Sequence, residues 1–562
     1  MTSSKWRLLL GLISLFAVLS VAVACGDDDD DDGGGGGGGA AAAKGGTITI
    51  GAKQFETWDP HFSDFAQDIA HYFKVWRGMY ELDLDNKPVA AMADGAPTVS
   101  SDGKTYTIKL QKDLKWSDGE PLTAKDFVLG IQRTCNPDNA GHYQYILTAI
   151  VGCDDYYAAT EASDAEKDTL LKALGVTAKD DLTVEIKLSA AQPTFPILLA
   201  LWPTFPIPSH KVASPNAAWP GPMENVYNGP FMPSAYTEKS SMELIPNPNW
   251  AGDQKPNLDK IVLKYVDDDS VLNNAFRTNE VQATLANKAE LDKLKTEFGQ
   301  DKQLFLYPAT RTIGIEFNMK DATLSKPEVR LALSQATDRA TMMTVVFQNG
   351  NTATTSWVPP QRNALKGGEY DQYLAFDVTK AKENLKKAGY ENGAGFPSIT
   401  LLQTDSQTNK LAGEFLQAEW KKHLGIEIKL EFVDSKTRSA RFNATDFQLV
   451  LGGWQEDYPD PENWFIGLWE TDGSINKTKT SIKALDDLIA GAKFNTNDEA
   501  RRKAYRDAEK VLLEQASGIA PIYHTLAAFI VKDTITGMVE WKRPGDTFVP
   551  GDWNPEYWGL KK

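Results

Sequence analysis

Apolar and polar residues alternate at several places along the chain, a pattern typical of strands with one buried face. The clearest run is 426–432, where Ile, Ile, Leu and Phe occupy every second position. The runs 106–110 and 184–188 repeat the same period of two. Each run predicts a β-strand that turns its apolar side towards a core.

Other segments space their apolar residues as an amphipathic helix does. Ala381, Leu385 and Ala388 share one helix face, and Gly389 follows as a stop signal. Because strand and helix patterns alternate along the chain, we expect α/β lobes with mixed sheets. Residue pairs typical of capping boxes precede three predicted helices; they are Thr123 with Asp126, Ser325 with Glu328, and Thr496 with Glu499.

The size and charge of the chain narrow the class further. Its 562 residues exceed the roughly 250–300 residues that one hydrophobic core accommodates, so at least two lobes are expected. The formal net charge is −17. An acidic surface disfavours nucleic acid and anionic lipid as partners.

The N-terminal 24 residues have the features of a secretory signal peptide. A basic start and an apolar stretch over 8–23 lead into small residues and Cys25. We expect Cys25 to be lipidated, with ordinary cleavage near Ala24 as the alternative. Residues 25–44 are rich in Asp, Gly and Ala and predict a disordered tether. No later apolar run is long enough to span a bilayer, so the lipid would be the only membrane contact.

The two other cysteines are Cys135 and Cys153. Outside the cytoplasm they would be expected to form a disulfide, closing a loop worth about 3 kcal/mol. The alternative is a pair of buried, reduced thiols. The six histidines lack the spacing of metal ligands, so we expect neither a metal nor another cofactor.

The segment from Gly453 to Trp464 combines aromatic rings, carboxylates and prolines. Residues 447–451 predict a short buried strand just before it, and binding residues concentrate in fixed loops at such strand ends. An aspartate among aromatic rings can hold an ammonium group by charge-assisted hydrogen bonds. The alternative is a structural turn with solvated acids and packed tryptophans.

Several segments together resemble one family. The most specific is Leu-Lys-Trp-Ser-Asp-Gly-Glu-Pro-Leu-Thr-Ala-Lys-Asp at 114–126. In order and spacing the chain resembles the extracellular solute-binding proteins of family 5, the peptide-binding components of ABC importers, over about residues 45–560. The other matching segments are 84–93, 101–108, 228–231, 247–250 and 329–339.

The resemblance implies an α/β fold of the periplasmic-binding-protein-like type II. Two lobes with mixed sheets would be joined by a two-crossover hinge and close over the ligand, with an extra α+β subdomain. Lobe I is expected at 45–80, 185–305 and 525–562. The inserted subdomain is expected at 81–184 and lobe II at 306–524.

The resemblance also implies an amine site. In this family the aspartate of a Gly-Trp-x-x-Asp motif holds the amino terminus of the ligand, and residues 453–457 match that motif. Asp457 is therefore the predicted anchor and Trp454 a predicted wall. Backbone groups of the neighbouring Gln455 and Glu456 would pair with the peptide main chain.

Two tyrosines complete the predicted site by the same resemblance. Tyr523 lies in a segment similar to a late strand of the family whose tyrosine reaches the ligand, and a place in the core is the alternative. Tyr143 lies where the subdomain of similar proteins contributes another tyrosine. Tyr145 is close enough in sequence to take that place instead.

The implied function is that of a monomeric binding protein without catalytic activity. It would capture a peptide in the periplasm, or at the outer face of the cytoplasmic membrane, and deliver it to the permease of an ABC transporter. An oligosaccharide or another small solute is the alternative ligand. A cleft lined by several tryptophans would favour a sugar, the candidates being Trp202, Trp219, Trp357, Trp454, Trp464 and Trp469.

A glycoside hydrolase-like enzyme is the remote alternative. Asp457, Asp460 and Glu462 would have to supply two carboxyl groups on opposite sides of a sugar. Three acids on one proline-rich loop are a poor source of such a pair.

Overall fold

The computed structural model describes residues 42–348, 350–363 and 368–562. The predicted signal peptide, Cys25 and the predicted tether up to residue 41 lie outside the described residues. Within the described part of the chain, no helix has the length and apolarity needed to cross a membrane.

The strands and helices alternate as the sequence predicts. In chain order, the strands of the described residues are β1 (Ala42–Ala43), β2 (Thr47–Ala52), β3 (Tyr80–Leu82), β4 (Pro88–Ala90), β5 (Thr98–Val99), β6 (Thr105–Lys109), β7 (Val176–Asp180), β8 (Thr183–Lys187), β9 (Phe231–Thr237), β10 (Ser241–Pro246), β11 (Lys260–Tyr265), β12 (Ala283–Leu285), β13 (Leu304–Phe317), β14 (Thr352–Ala353), β15 (Ile399–Thr404), β16 (Ile428–Val433), β17 (Leu449–Gln455), β18 (Ile519–Val531), β19 (Ile535–Thr536) and β20 (Gly559–Lys561). The α-helices are α1 (Ala66–Val75), α2 (Ala124–Thr134), α3 (Cys153–Tyr157), α4 (Asp164–Ala173), α5 (Phe195–Leu198), α6 (Asp269–Arg277), α7 (Leu291–Phe298), α8 (Pro327–Gln335), α9 (Arg339–Met342), α10 (Pro360–Asn363), α11 (Asp371–Leu374), α12 (Val378–Lys387), α13 (Gln407–Leu424), α14 (Ser435–Asn443), α15 (Lys483–Lys493) and α16 (Asp498–Leu513).

Two long strands connect the lobes. Strands β13 and β18 pair antiparallel along most of their length, within a sheet of order β16-β15-β17-β13-β18-β12-β2-β11-β10-β9. The far end of β18 pairs with β12, and the far end of β13 pairs with β17. The β13–β18 register is broken between Pro308 and Thr312. Proline has no backbone N–H to donate to a strand partner. The break is therefore a weakly paired point of the two strands that connect the lobes.

A separate four-stranded sheet of order β5-β6-β8-β7 forms the core of the inserted subdomain. Its buried face carries Tyr106, Ile108, Val184 and Ile186, the apolar positions of the period-two pattern. Strand β8 ends at Lys187, so this sheet continues three residues past the boundary predicted at 184.

The helix caps agree only in part with the prediction. The Thr123–Asp126 capping box is present, with the Thr123 N–H donating to the Asp126 carboxylate at 2.8 Å. The Ser325 prediction is wrong, because α8 begins one residue later, with proline in its first turn. The Thr496 prediction is also wrong: Asn497 caps α16 and accepts from the Ala500 N–H.

The start of the described chain corrects the tether prediction. Ala42 and Ala43 pair antiparallel with Lys561 and Leu560 of β20, and the Gly45 N–H donates to the Asn257 carbonyl. The backbone pairing with the C-terminal strand therefore includes residues that the sequence placed in a disordered segment.

A disulfide joins Cys135 to Cys153, whose Cα atoms are 5.2 Å apart. Cys135 follows α2, and Cys153 begins α3. The loop that the bridge closes contains a 3₁₀ turn at His142–Leu147, which carries Tyr143 and Tyr145.

Candidate functional site

The Gly-Trp-x-x-Asp segment begins within a strand. The predicted strand ends at residue 451, whereas β17 continues to Gln455 and pairs with Arg311 and Thr312 of β13. Gly453 permits this pairing, because a Cβ at that position would lie 1.8 Å from the Thr312 carbonyl oxygen. Strand pairing therefore fixes Trp454 and Gln455, and the aspartate follows two residues after the strand.

The Asp457 carboxylate accepts hydrogen bonds from the subdomain. The Tyr143 hydroxyl donates to Oδ1 at 2.8 Å, and the Tyr145 hydroxyl donates to Oδ2 at 2.9 Å. Both tyrosines are buried. The sequence predicts Tyr143 as a site residue, with Tyr145 as the alternative. In the structure both tyrosines donate to the same carboxylate.

Asn463 holds the segment in place. Its side-chain oxygen accepts the Asp457 backbone N–H at 2.8 Å and the Trp454 indole N–H at 2.9 Å. Its amide group donates to Asp457 Oδ2 at 3.3 Å. Asn463 was not predicted from the sequence, although it lies only six positions after Asp457. In the structure it belongs to the 3₁₀ turn Pro461–Trp464.

Burial raises the pKa of Asp457 to about 6, and the hydrogen bonds from Tyr143, Tyr145 and Asn463 oppose that rise. All three donors are neutral. Among the described residues, no lysine, arginine or histidine forms an ion pair with Asp457. The site thus holds a buried carboxylate whose charge the protein solvates without neutralising it.

Two adjacent cavities meet at Trp454, Tyr143 and Arg311. Cavity A, of about 480 Å³, is lined by Phe62, Asp64, Phe65, His142, Tyr143, Tyr145, Arg311, Glu316, Trp357, Arg438, Ser439, Phe442, Asn443, Gly453, Trp454, Leu468, Trp469, Ile475, Lys477 and Thr478. Cavity B, of about 330 Å³, is lined by Asp64, Phe65, Ala66, Gln67, Ile69, Tyr143, Trp202, Arg311, Gly453, Trp454, Gln455, Glu456, Asp457, Gly545, Thr547 and Trp553. Because both predicted lobes and the subdomain contribute residues, the cavities form one cleft at their junction.

Gln455 and Glu456 line cavity B and also make internal contacts. The Gln455 amide donates to the Gly545 carbonyl at 3.3 Å. The Glu456 backbone N–H donates to the Thr310 carbonyl, and its side chain accepts from Arg362 at 2.6 Å. Burial raises the pKa of Glu456 to about 7, against the attraction of Arg362.

Tyr523 lies outside the linings of both cavities. It sits in β18 opposite Ile313, and its ring centre is 4.6 Å from that of Phe347. Its predicted contact with a ligand stays a prediction.

Asp460 and Glu462 are buried, so the solvated acids of the alternative interpretation of this segment do not describe them. Asp460 accepts from both terminal nitrogens of Arg501, as a buried ion pair. Glu462 accepts from Gln192 at 2.7 Å and from Thr194 at 2.9 Å. These acids hold the loop against its neighbours.

The tryptophans of the cleft are mostly covered. Trp202, Trp357 and Trp469 line the cavities but are only 1%, 1% and 2% exposed. Trp357 packs edge-on against Trp464 and Trp469. Trp454 is partly exposed. A sugar-stacking platform needs open indole faces. Among the tryptophans that line the cavities only Trp454 and Trp553 are partly exposed, and one face of Trp553 stacks on Phe73 with ring centres 4.3 Å apart.

The described residues contain no group of three or more His, Cys, Asp or Glu side chains that could hold a metal ion.

The comparisons with known proteins show the family and the fold. A family model described as bacterial extracellular solute-binding proteins, family 5 Middle, matches residues 87–476, more than half of the chain. The chain therefore belongs to this family of extracellular binding proteins, and its two-lobed mixed α/β architecture is the type II periplasmic-binding-protein fold.

Individual relatives cover most of the chain. The oligopeptide-binding protein OppA of Bacillus subtilis is 27% identical over 83% of this chain and 85% of its own length. The probable deoxycholate-binding periplasmic protein YgiS of Escherichia coli is 29% identical over 82% of this chain and 85% of its own. The structure of Listeria monocytogenes OppA bound to peptide is 26% identical and superposes with a TM-score of 0.78, covering 93% of this chain and all of that one.

Proposed function

We propose that this protein captures peptides outside the cytoplasm and delivers them to the permease of an ABC transporter. The two lobes close over the peptide, and Asp457 binds its amino-terminal ammonium group. The ATPase of the transporter supplies the energy, and this chain performs no chemistry. A lipid on Cys25 holds the protein, as a monomer, at the outer face of the membrane.

The observation that carries the proposal is the unpaired carboxylate of Asp457. A buried charge without a counter-charge is costly, and an ammonium ion that reaches it recovers much of that cost. A carboxylate has about four acceptor sites, so the three donors leave about one site, on Oδ1, for a ligand, and Asp457 lines cavity B. Family membership and the peptide-binding relatives support the same ligand class.

Backbone recognition supports a peptide as well. Strand β17 forms part of the cleft with Gly453 to Gln455, and main-chain pairing gives affinity without reading side chains. Trp454 serves as a wall, and Tyr143 orients the carboxylate. The relative YgiS is described as a probable deoxycholate-binding protein. Neither a bile acid of that kind nor a sugar has an ammonium group that could neutralise Asp457.

Native mass spectrometry of the purified protein tests the ligand class. Under this proposal, the complex releases a set of peptides with free amino termini. Hexose-spaced masses or a single steroid acid would contradict it. Protein refolded from denaturant and incubated with a defined peptide mixture is the control that separates co-purified ligand from incidental adducts.

A further inference from the structure

Two hydrogen-bond donors of the amine site belong to a loop that a disulfide closes. Cys135 follows helix α2, Cys153 begins α3, and their sulfur atoms are bonded. Tyr143 lies eight residues after the first cysteine, and Tyr145 lies eight residues before the second. Both hydroxyls donate to Asp457, more than 300 positions further along the chain. The two donors therefore lie in the middle of the closed loop.

The loop has little regular structure of its own. Between residues 136 and 152 the backbone forms one 3₁₀ turn, His142–Leu147, and a single β-bridge from Ile150 to Leu188. The hydrogen bonds of a 3₁₀ turn have poorer geometry than those of an α-helix, and such turns stay short. A cross-link between the ends of a loop removes many of the conformations open to the chain. Because no helix or strand pairing runs along this loop, the disulfide is a strong restraint on its shape.

The turn with the two tyrosines is fastened to the disulfide through α3. Gln144 lies between the tyrosines and donates to Asp154 at 2.7 Å, and its amide nitrogen lies 3.6 Å from the Cys153 sulfur. The Tyr157 hydroxyl donates to the Gly141 carbonyl, just before the turn, at 3.1 Å. Both cysteines are 0% exposed. A buried connection thus runs from the turn to the start of α3 and, through the disulfide, to the end of α2.

Building on the proposed amine site, we propose that the Cys135–Cys153 disulfide is a positioning element of that site, which holds Tyr143 and Tyr145 where their hydroxyls donate to Asp457. The cysteines are absent from the linings of both cavities, so they do not contact the ligand themselves. They act on the ligand's ammonium group through the two tyrosines and the carboxylate.

The tyrosines determine how readily Asp457 stays ionised. Burial and the charge of Asp457 raise the pKa of both tyrosines well above its ordinary value, so their hydroxyls keep their protons and donate. Burial raises the pKa of Asp457 to about 6, and the hydrogen bonds from Tyr143 and Tyr145 oppose the rise. If the loop moves and these donors withdraw, the pKa of Asp457 rises further. More of its carboxyl group is then protonated near neutral pH, and an ammonium ion binds less tightly.

The double variant Cys135→Ala/Cys153→Ala tests the inference by isothermal titration calorimetry. The probes are tetra-alanine and N-acetylated tetra-alanine, measured between pH 7.5 and pH 5. We expect the affinity for the free amine to fall at least about fivefold at pH 7, as donors to a charged group are lost. The affinity for the acetylated peptide should stay within about twofold. The acid-induced loss of free-amine affinity should begin about half a pH unit or more above its wild-type onset.

Leu294→Ala is the control for lost stability. Leu294 is buried on α7 in a separate apolar cluster, none of whose residues lines the cleft. The cavity left by this change destabilises the protein, as loss of the disulfide does. Urea denaturation compares the two losses, and Leu294→Ala should keep the wild-type amine preference and pH profile. If the cysteine variant does not fold, Gln144→Ala decides, because it cuts the same connection at Asp154. An amine preference preserved in that variant would then overturn the inference.

A thermodynamic cycle shows whether the disulfide acts through the tyrosines. In Tyr143→Phe/Tyr145→Phe the hydroxyls are already absent, so removing the disulfide as well should change the free-amine affinity by no more than about twofold. A larger loss in that background, or an unchanged amine preference in the cysteine variant, would overturn the inference. If the wild type binds both peptides equally, the proposed amine site itself fails. If the wild type prefers the free amine and the folded cysteine variant does so equally, the amine site stands and only the positioning role is rejected.

Discussion

At the scale of single residues, Asp457 carries a charge that its own neighbours stabilise but do not cancel. Tyr143, Tyr145 and Asn463 donate to it, yet burial still raises its pKa to about 6. Removing one partner of a buried charge pair typically costs 2–5 kcal/mol in binding. We expect an ammonium group at this position to account for a similar share of the affinity.

Peptide affinity should depend on pH through Asp457. Below pH 6 its carboxyl group is protonated in the free protein, whereas a bound ammonium favours the ionised form. Binding there must release a proton, so affinity should fall as the pH drops from 7 to 5, by up to about tenfold per pH unit below the pKa. The α-amino group of the peptide, with a pKa near 8, stays charged throughout.

Calorimetry at several pH values measures this dependence. Glu316 and Glu456 also titrate near pH 7, and an N-acetylated peptide reports their contribution separately. Asp457→Asn should lack the component that distinguishes the free amine from the acetylated peptide. A flat profile between pH 7 and 5 for the free-amine peptide in the wild type would contradict the role of Asp457.

A local motif predicts Asp457 and Trp454 from the sequence. The other residues of the cleft cannot be predicted in this way. Tyr145 and Asp457 are 312 positions apart, and no local pattern connects them. Arg438 and Glu316 both line cavity A, but an arginine on a polar helix and a glutamate in a strand give no sequence signal of a shared cavity. Their positions depend on how the lobes pack.

At the scale of elements, strand β17 carries the site. It pairs with β13 up to Gln455, and its two glycines allow close packing. A Cβ on Gly453 would lie 1.8 Å from the Thr312 carbonyl oxygen, and one on Gly452 would lie 2.6 Å from a Glu316 oxygen. The backbone path into Asp457 therefore depends on residues without side chains.

Gly453→Ala should destabilise the protein by about 2 kcal/mol or more, since strand pairing must shift to admit the methyl group. Peptide affinity should fall as well, because β17 positions Asp457. The matched control is Gly491→Ala in α15, where a Cβ would meet no atom within 4 Å. That change should leave stability equal or slightly higher. Urea denaturation monitored by circular dichroism gives both values, and a wild-type midpoint in Gly453→Ala would contradict the packing argument.

The elements themselves were largely predictable from periodicity. The alternating runs became β6, β8 and β16. In β6 and β8 the apolar residues lie on a buried face, whereas in β16 Ile428 is buried and Leu430 and Phe432 are half-buried. The ends were harder: β17 runs four residues beyond the predicted strand, since glycines at 452 and 453 weaken the pattern although the ladder continues. The caps at Ser325 and Thr496 were off by one position.

At the scale of the whole molecule, several hydrogen bonds between described residues join the predicted lobe II to the rest of the chain across the cleft. Asp457 accepts from Tyr143 and Tyr145, Glu462 accepts from Gln192 and Thr194, and Lys493 donates to Thr148. The covalent connections run through β13 and β18, whose pairing is interrupted at Pro308. A break in the ladder between two packed lobes is a suitable site for bending.

Peptide binding should therefore compact the molecule. Small-angle X-ray scattering of the wild type should give a smaller radius of gyration at saturating peptide than without it. Thr194→Val, which removes a donor to Glu462, should bind the same peptide more weakly, because the closed state is less populated. An unchanged scattering profile on adding peptide would contradict closure.

The lobes and the subdomain followed from the family resemblance rather than from periodicity. Their boundaries depend on strand pairing between distant segments, which explains why β8 crosses the predicted limit at 184. The pairing of Ala42 and Ala43 with the C-terminal strand also joins distant segments, so it could not be predicted from the local sequence. Composition alone gave no sign that two alanines would find a partner more than 500 residues away.

The most direct test of the account is the affinity of one short peptide and its N-acetylated form for the wild type and for Asp457→Asn. We expect the wild type to prefer the free amine by about 100-fold, at the lower end of the range for a buried charge pair. In Asp457→Asn the preference should shrink to within a few-fold, with circular dichroism unchanged. Equal affinity of the wild type for both peptides would contradict the central claim that Asp457 binds the ligand's amine.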